Sequence, residues 1–85
     1  MTELILNGKE IRTQEELHRC FARTLNFPEW YGGNLDALYD CLTDLEDETH
    51  LTLQNWNAID HWAASFRAVL EEAEESVPEL TVTFA

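Results

Sequence analysis

Three short apolar runs are spaced along a chain of 85 residues, and what lies between them decides the fold. Leu4-Ile5-Leu6 opens the chain, Leu51 and Leu53 alternate with Thr52 and Gln54, and Leu80, Val82 and Phe84 alternate with Thr81 and Thr83. The first run is closed by Asn7-Gly8, a strong turn pair, and the other two carry the period-two pattern of half-buried strands. The intervening segments have helical period. Strands joined through helices pair in parallel, through right-handed crossovers. The order strand, helix, helix, strand, helix, strand therefore predicts an α/β fold. We expect a three-stranded parallel sheet packed against three to four helices, in one domain over residues 1–85.

The helices have readable ends. Thr13 and Glu16 form a Thr-x-x-Glu capping box, and Leu17, Cys20, Phe21, Thr24 and Leu25 supply the inward stripe behind it. Pro28 stops that helix, because it lacks an amide hydrogen and biases Phe27 away from helical geometry. Asn34 is a good N-cap for a second helix, expected to run to about Leu45 and fray through Glu46, Asp47 and Glu48. Placed on a helical wheel, Leu35, Leu38, Leu42 and Leu45 share one face. Asp36, Asp40, Thr43 and Asp47 share the opposite one, with Asp44 at its margin and Tyr39 between the two. From Trp56 the residues Ile59, Trp62, Ala63, Phe66, Val69, Leu70 and Ala73 line one side. Periodicity does not decide between one helix there and two with a break near Ser65. Glu71, Glu72, Glu74 and Glu75 crowd the end of this segment, where carboxylates oppose the helix dipole, and Pro78 closes it.

Charge narrows the choice of partner. Seventeen acidic residues against five basic ones give a net charge of -12. Such a surface repels nucleic acid and anionic membrane and draws in cationic partners, although acidity alone often means no more than solubility. The charge, with no second apolar stripe, makes a monomer the expectation. Cys20 and Cys41 are too few for a disulfide framework, and reduced, half-buried thiols suit a cytoplasmic protein. The N-terminal residues lack the apolar run of a signal peptide, and no segment is long enough to span a membrane.

Enzyme signatures are missing. Gly32-Gly33 precedes a helix but has no Gly-Lys-Ser/Thr after it, and Asp36 would repel a phosphate. Asp44, Glu46, Asp47, Glu48 and His50 lack the spacing and turn glycine of a calcium loop, so no metal site is expected. Asp36 and Asp40 form a carboxylate pair without the contrasting environments that separate an acid from a base. Cys20 and His18, two apart on a helix, do not face each other. His18 and His61 read as packing or solvated residues. We expect no catalysis and no cofactor.

What remains is Pro28 to Leu45, PEWYGGNLDALYDCLTDL. Each of its residues has an ordinary explanation: aromatics close core edges, and acid faces are usually solvated. Their coincidence is less ordinary. Tryptophan and tyrosine are favoured interface anchors, and fixed negative charge beside them speeds encounter with a basic partner. Lining up Asp36, Asp40 and Asp44 also sets like charges one turn apart. A row of carboxylates can stand in for nucleic-acid phosphates, which suits a nuclease inhibitor or a mimic of DNA directed at a DNA-binding protein.

Residues Pro28 to Thr43 resemble the signature of the barstar family, intracellular inhibitors of barnase-type ribonucleases. The resemblance extends to Leu4–Ile11 and the first helix, and loosely to the last helix and strand. It implies that the second helix and its preceding loop plug the ribonuclease active site. On that resemblance Asp40 matches the acid entering the phosphate-binding site, Asp36 a second acid, and Thr43 a polar contact. Trp30 stands where a tyrosine packs on the catalytic histidine. Tyr31, Gly32 and Asn34 match the rest of the contacting loop, and Glu72 matches an acid on the last helix. Tyr39 replaces a tryptophan, Gly33 an acid, Asp44 a glycine at the contact rim and Leu45 an aromatic. The expected partner is thus a basic, barnase-like ribonuclease. The rival is an acidic binding module of the same fold directed at another basic partner, a different toxin or a DNA-binding protein.

Overall fold

The central strand is β2 (Thr49–Gln54), flanked by β1 (Thr2–Asn7) and β3 (Leu80–Phe84), and both pairings are parallel. The computed structural model describes all 85 residues. Three helices complete it: α1 (Gln14–Thr24), α2 (Leu35–Thr43) and α3 (Ala63–Ser76). The expected α/β architecture is the one observed.

The register explains why the sheet is two-sided. Leu4, Leu51 and Val82 lie side by side, as do Leu6, Leu53 and Phe84, all on the face that the helices cover. Strands laid down in spatial order with crossovers of one hand place every connection on the same face. Leu17 and Phe21 of α1, Leu38 and Leu42 of α2, and Phe66, Leu70 and Ala73 of α3 therefore meet a single sheet face in one core. The other face carries Glu3, Ile5, His50, Thr52, Thr81 and Thr83, none of them buried. Parallel sheets usually have both faces covered. Here the alternation with threonine keeps the open face polar, apart from Ile5.

Helices α1 and α2 run in the same direction. Gly33, just before α2, shares a cleft with Thr13 and Gln14 at the start of α1, while Leu25 and Asn26 at its end share another with Asp44 and Leu45.

Several element ends differ from expectation, each for a local reason. The capping box forms, with Thr13 Oγ1 accepting the Glu16 amide at 3.1 Å, but Glu16 reaches back to the amide of Arg12 (3.1 Å). Helix α1 stops at Thr24, short of Pro28. Asn26 takes a left-handed conformation (φ 56°), and the Phe27 amide returns to the Ala22 carbonyl at 3.0 Å, a Schellman-type closure. The buried stripe of α1 includes His18, whereas Thr24 is exposed. Helix α2 ends at Thr43, before Leu45: the Thr43 hydroxyl donates to the carbonyls of Tyr39 (2.9 Å) and Asp40 (3.1 Å) in the last turn. The segment after Trp56 is a 3-10 turn (Trp56–Ala58) and then α3, so the break precedes Ser65. Ile59 is extended, and the Asp60 side chain accepts the His61 amide at 2.8 Å, starting a new turn.

Turns after β1 and β2 meet at Gly8, where a Cβ would lie 2.2 Å from the Asn55 carbonyl oxygen. The Asn55 side-chain amide donates to Asn7 Oδ1 at 2.9 Å across the same junction. Only glycine fits that approach.

Candidate functional site

The site is built from the connection between α1 and α2, then from α2 itself. After the closure at Asn26, Phe27 turns its ring toward the core and Pro28 begins a turn in which the Tyr31 amide returns to the Pro28 carbonyl (3.0 Å). The two adjacent aromatics in this turn part company. Trp30 is 60% exposed, a large apolar surface left to solvent. Tyr31 is half-buried, with its ring 5.0 Å from that of Phe27 and its hydroxyl hydrogen-bonded to His18 Nδ1. Burial, aided by the neighbouring Cys41 thiol, pushes the Tyr31 phenol well above its ordinary pKa. Its hydroxyl is therefore an internal strut, and Trp30 is the aromatic the loop presents.

Gly32 and Gly33 carry the chain into α2. Gly33 has φ 68° and open space where a side chain would stand, so backbone conformation, not crowding, selects glycine. Asn34 Oδ1 accepts the Ala37 amide at 2.8 Å, the expected N-cap.

Helix α2 divides as its pattern requires. Leu38, Cys41 and Leu42 are buried, Leu35 and Tyr39 half-buried, and Asp36, Asp40 and the capping Asp44 exposed. None of the molecule's four ion pairs involves those three carboxylates. Asp36, in the first turn, gains from the dipole; Asp40, a turn later, gains little. Their field is felt within the helix: burial raises the Cys41 thiol pKa, and Asp44 and Asp40 raise it further. Both cysteines are free, Cys41 buried and Cys20 partly so.

Helix α3 reaches the same rim. The hydroxyls of Tyr39 and Ser76 are 3.0 Å apart, and Glu72 lies one turn before Ser76 on α3, exposed. The structure thus brings Trp30, Asp36, Tyr39, Asp40, Thr43 and Asp44 onto the loop and outer face of α2, with Glu72 on the adjoining helix. It turns the Tyr31 hydroxyl inward and commits the Thr43 hydroxyl proton to the helix backbone. Sequence reasoning missed His18 as a neighbour of the loop; no local signal marks it, because its partner is thirteen residues away.

The acid pair Asp36 and Asp40 lines none of the larger clefts, which open instead beside Trp56 and Phe84, at the ends of α1, and along its outer side. No group of three His, Cys, Asp or Glu side chains is placed to hold a metal ion. No helix is long and apolar enough to cross a membrane.

Comparison with known proteins agrees with this architecture. A Bacillus subtilis (strain 168) protein named "Putative ribonuclease inhibitor YrdF" is 37% identical over 86 residues, covering 99% of this chain and 94% of the relative. The family model described as "Barstar (barnase inhibitor)" matches residues 1–85. Its members are inhibitors, not enzymes, and on both matches the chain belongs to the barstar family.

Proposed function

We propose that this protein inhibits a basic, barnase-type ribonuclease by seating α2 and the loop before it in the enzyme's active site. One observation carries the reading: Asp36, Asp40 and Asp44 stand exposed along one helix, free of internal ion pairs, and the loop that leads into that helix carries an exposed Trp30. Such carboxylates occupy the positions of substrate phosphates before the cationic side chains of a ribonuclease. Asp40 is the central one, and Asp36 and Asp44 extend its field along the helix axis. Trp30 supplies a flat apolar face where a base or catalytic imidazole would stack. Tyr39 and Glu72 flank the row, while Gly32, Asn34 and Tyr31 shape the loop. The mechanism is occlusion and charge complementarity, with no bond made or broken. Two free thiols suit action in the reducing cytoplasm of the producing cell, as an immunity protein against its own toxin.

The test is titration of the protein into a barnase-type ribonuclease assay, with Asp40→Ala alongside. Inhibition by the native protein and its loss in the variant support the reading. Equal inhibition by both would remove Asp40 from the interface. No inhibition by either would favour a different basic partner for the same face.

A further inference from the structure

We infer that His18 is a positioning residue: its imidazole fastens Tyr31 to α1 and so fixes the loop that presents Trp30. This rests on the loop being the ribonuclease-binding element proposed above. His18 is one of only two buried polar residues in the molecule. It sits between two aromatic rings from different parts of the chain, 4.7 Å from Phe66 of α3 and 5.6 Å from Tyr31 of the loop. Its Nδ1 meets the Tyr31 hydroxyl, the one hydrogen bond between side chains that ties this loop to another element. Trp30 is the residue immediately before the anchored one, and itself has no internal aromatic partner. The position of Trp30 therefore depends on where Tyr31 is held.

The latch has a preferred protonation state. With a bare Nδ1 the neutral imidazole accepts the tyrosine O–H; the imidazolium donates from both nitrogens, so the hydroxyl would have to turn and accept. Burial already opposes the charged form and lowers the His18 pKa. The charged or titratable neighbours are few. Tyr31 faces it from the loop, Arg12 and Glu15 share its cleft at the start of α1, and the Cys41 thiol of α2 lies beyond Tyr31. Helix α3 offers Phe66, and Trp62 just before it lines the same cleft; neither is ionisable. No carboxylate is paired with His18 to hold it charged. Acidification through the histidine range should release the loop.

The experiment is amide hydrogen exchange on the free protein, followed by binding to a barnase-type ribonuclease. The reporter is the Tyr31 amide, bonded to the Pro28 carbonyl within the loop. Removing the hydroxyl with Tyr31→Phe, or the imidazole with His18→Leu, should speed its exchange by about tenfold, the loss of one hydrogen bond. The amides of Leu51 and Leu53 in the central strand open only with the whole fold and should speed by no more than the fall in global stability. His18→Gln, which can still bond the hydroxyl, should restore protection and abolish the fall in protection that the native protein shows as pH drops below the ordinary histidine value. Tyr31→Phe keeps the ring, so it remains informative if His18→Leu does not fold. Unchanged Tyr31 exchange in Tyr31→Phe, or central-strand exchange that speeds more than that of the Tyr31 amide, would overturn the latch. Ribonuclease affinity should fall by about the same tenfold factor in Tyr31→Phe. A loosened loop with unaltered affinity would overturn its role in binding. A native protein that binds no such enzyme, yet shows the exchange pattern, would refute the proposed target and leave the latch standing.

Discussion

Two acid-rich helix segments stand side by side in this molecule, and they differ in what their carboxylates do at home. Toward the end of α3, Glu71 pairs with Arg67 (3.7 Å), and Glu74 accepts the Val82 amide of edge strand β3 at 2.7 Å. The second contact covers a backbone donor that the sheet leaves open, since β3 has a neighbour on one side only. On α2, Asp36, Asp40 and Asp44 have no such employment within the molecule. Counting acids would rank the two segments alike. Asking what each acid touches separates structural carboxylates from ones held ready for a partner.

That contrast can be broken most directly at Asp40. Asp40→Ala should weaken ribonuclease binding on the order of a hundredfold or more, a range to which barnase–barstar measurements themselves contributed. Its unfolding midpoint in urea should stay level or rise, because a like-charge neighbour of Asp36 and Asp44 is removed. Glu74→Ala should do the reverse, costing about 1–3 kcal/mol of stability by orphaning the Val82 amide while leaving inhibition intact. If Glu74→Ala lost inhibition without losing stability, the division between the two segments would fail. Tyr39→Phe should cost about 1 kcal/mol in chemical denaturation, the bond to Ser76, and test whether the α2–α3 seam is shared by fold and interface.

The smallest effect concerns pH. The folded state lowers the His18 pKa below its ordinary 6.5, so the unfolded chain binds more protons in the interval between the two values. The stability that neutral His18 contributes is complete above 6.5 and is lost as pH falls through its lower folded value. Urea midpoints over that interval should decline in the native protein and less so in His18→Gln.

The parts of the fold set by pattern were legible in the sequence. Three strands, the Thr13 and Asn34 caps and the leucine and acid faces of α2 follow from spacing, which the chain expresses locally. What escaped was decided by partners distant in sequence. The buried stripe of α1 is rotated by about 45° toward His18 relative to the apolar pattern, at 100° per residue. A histidine goes inside only where something receives its nitrogen, and Tyr31 and Phe66 were not visible from α1. The inward turn of Tyr31 has the same cause. Trp56 and Ile59, three apart, fit a 3-10 turn as well as an α-helix, so the break before α3 left no mark on the period. Of the site, the acid row was legible; which of two adjacent aromatics faces outward was not.

The shared direction of α1 and α2 sets a requirement on the chain between them. Two consecutive helices that run the same way oblige residues 25–34 to travel back along the whole of α1 before α2 can begin. Eleven helical residues span about 16 Å, whereas ten extended residues reach about 33 Å, so the return path has roughly twice the length it needs. The excess must be folded into the path, and here it is taken up by the turn at Pro28–Tyr31 and the left-handed step at Gly33. Trp30 stands on that surplus. Residues could be trimmed from this connection without breaking the helical layer, but the first thing lost would be the projection on which the exposed tryptophan is carried.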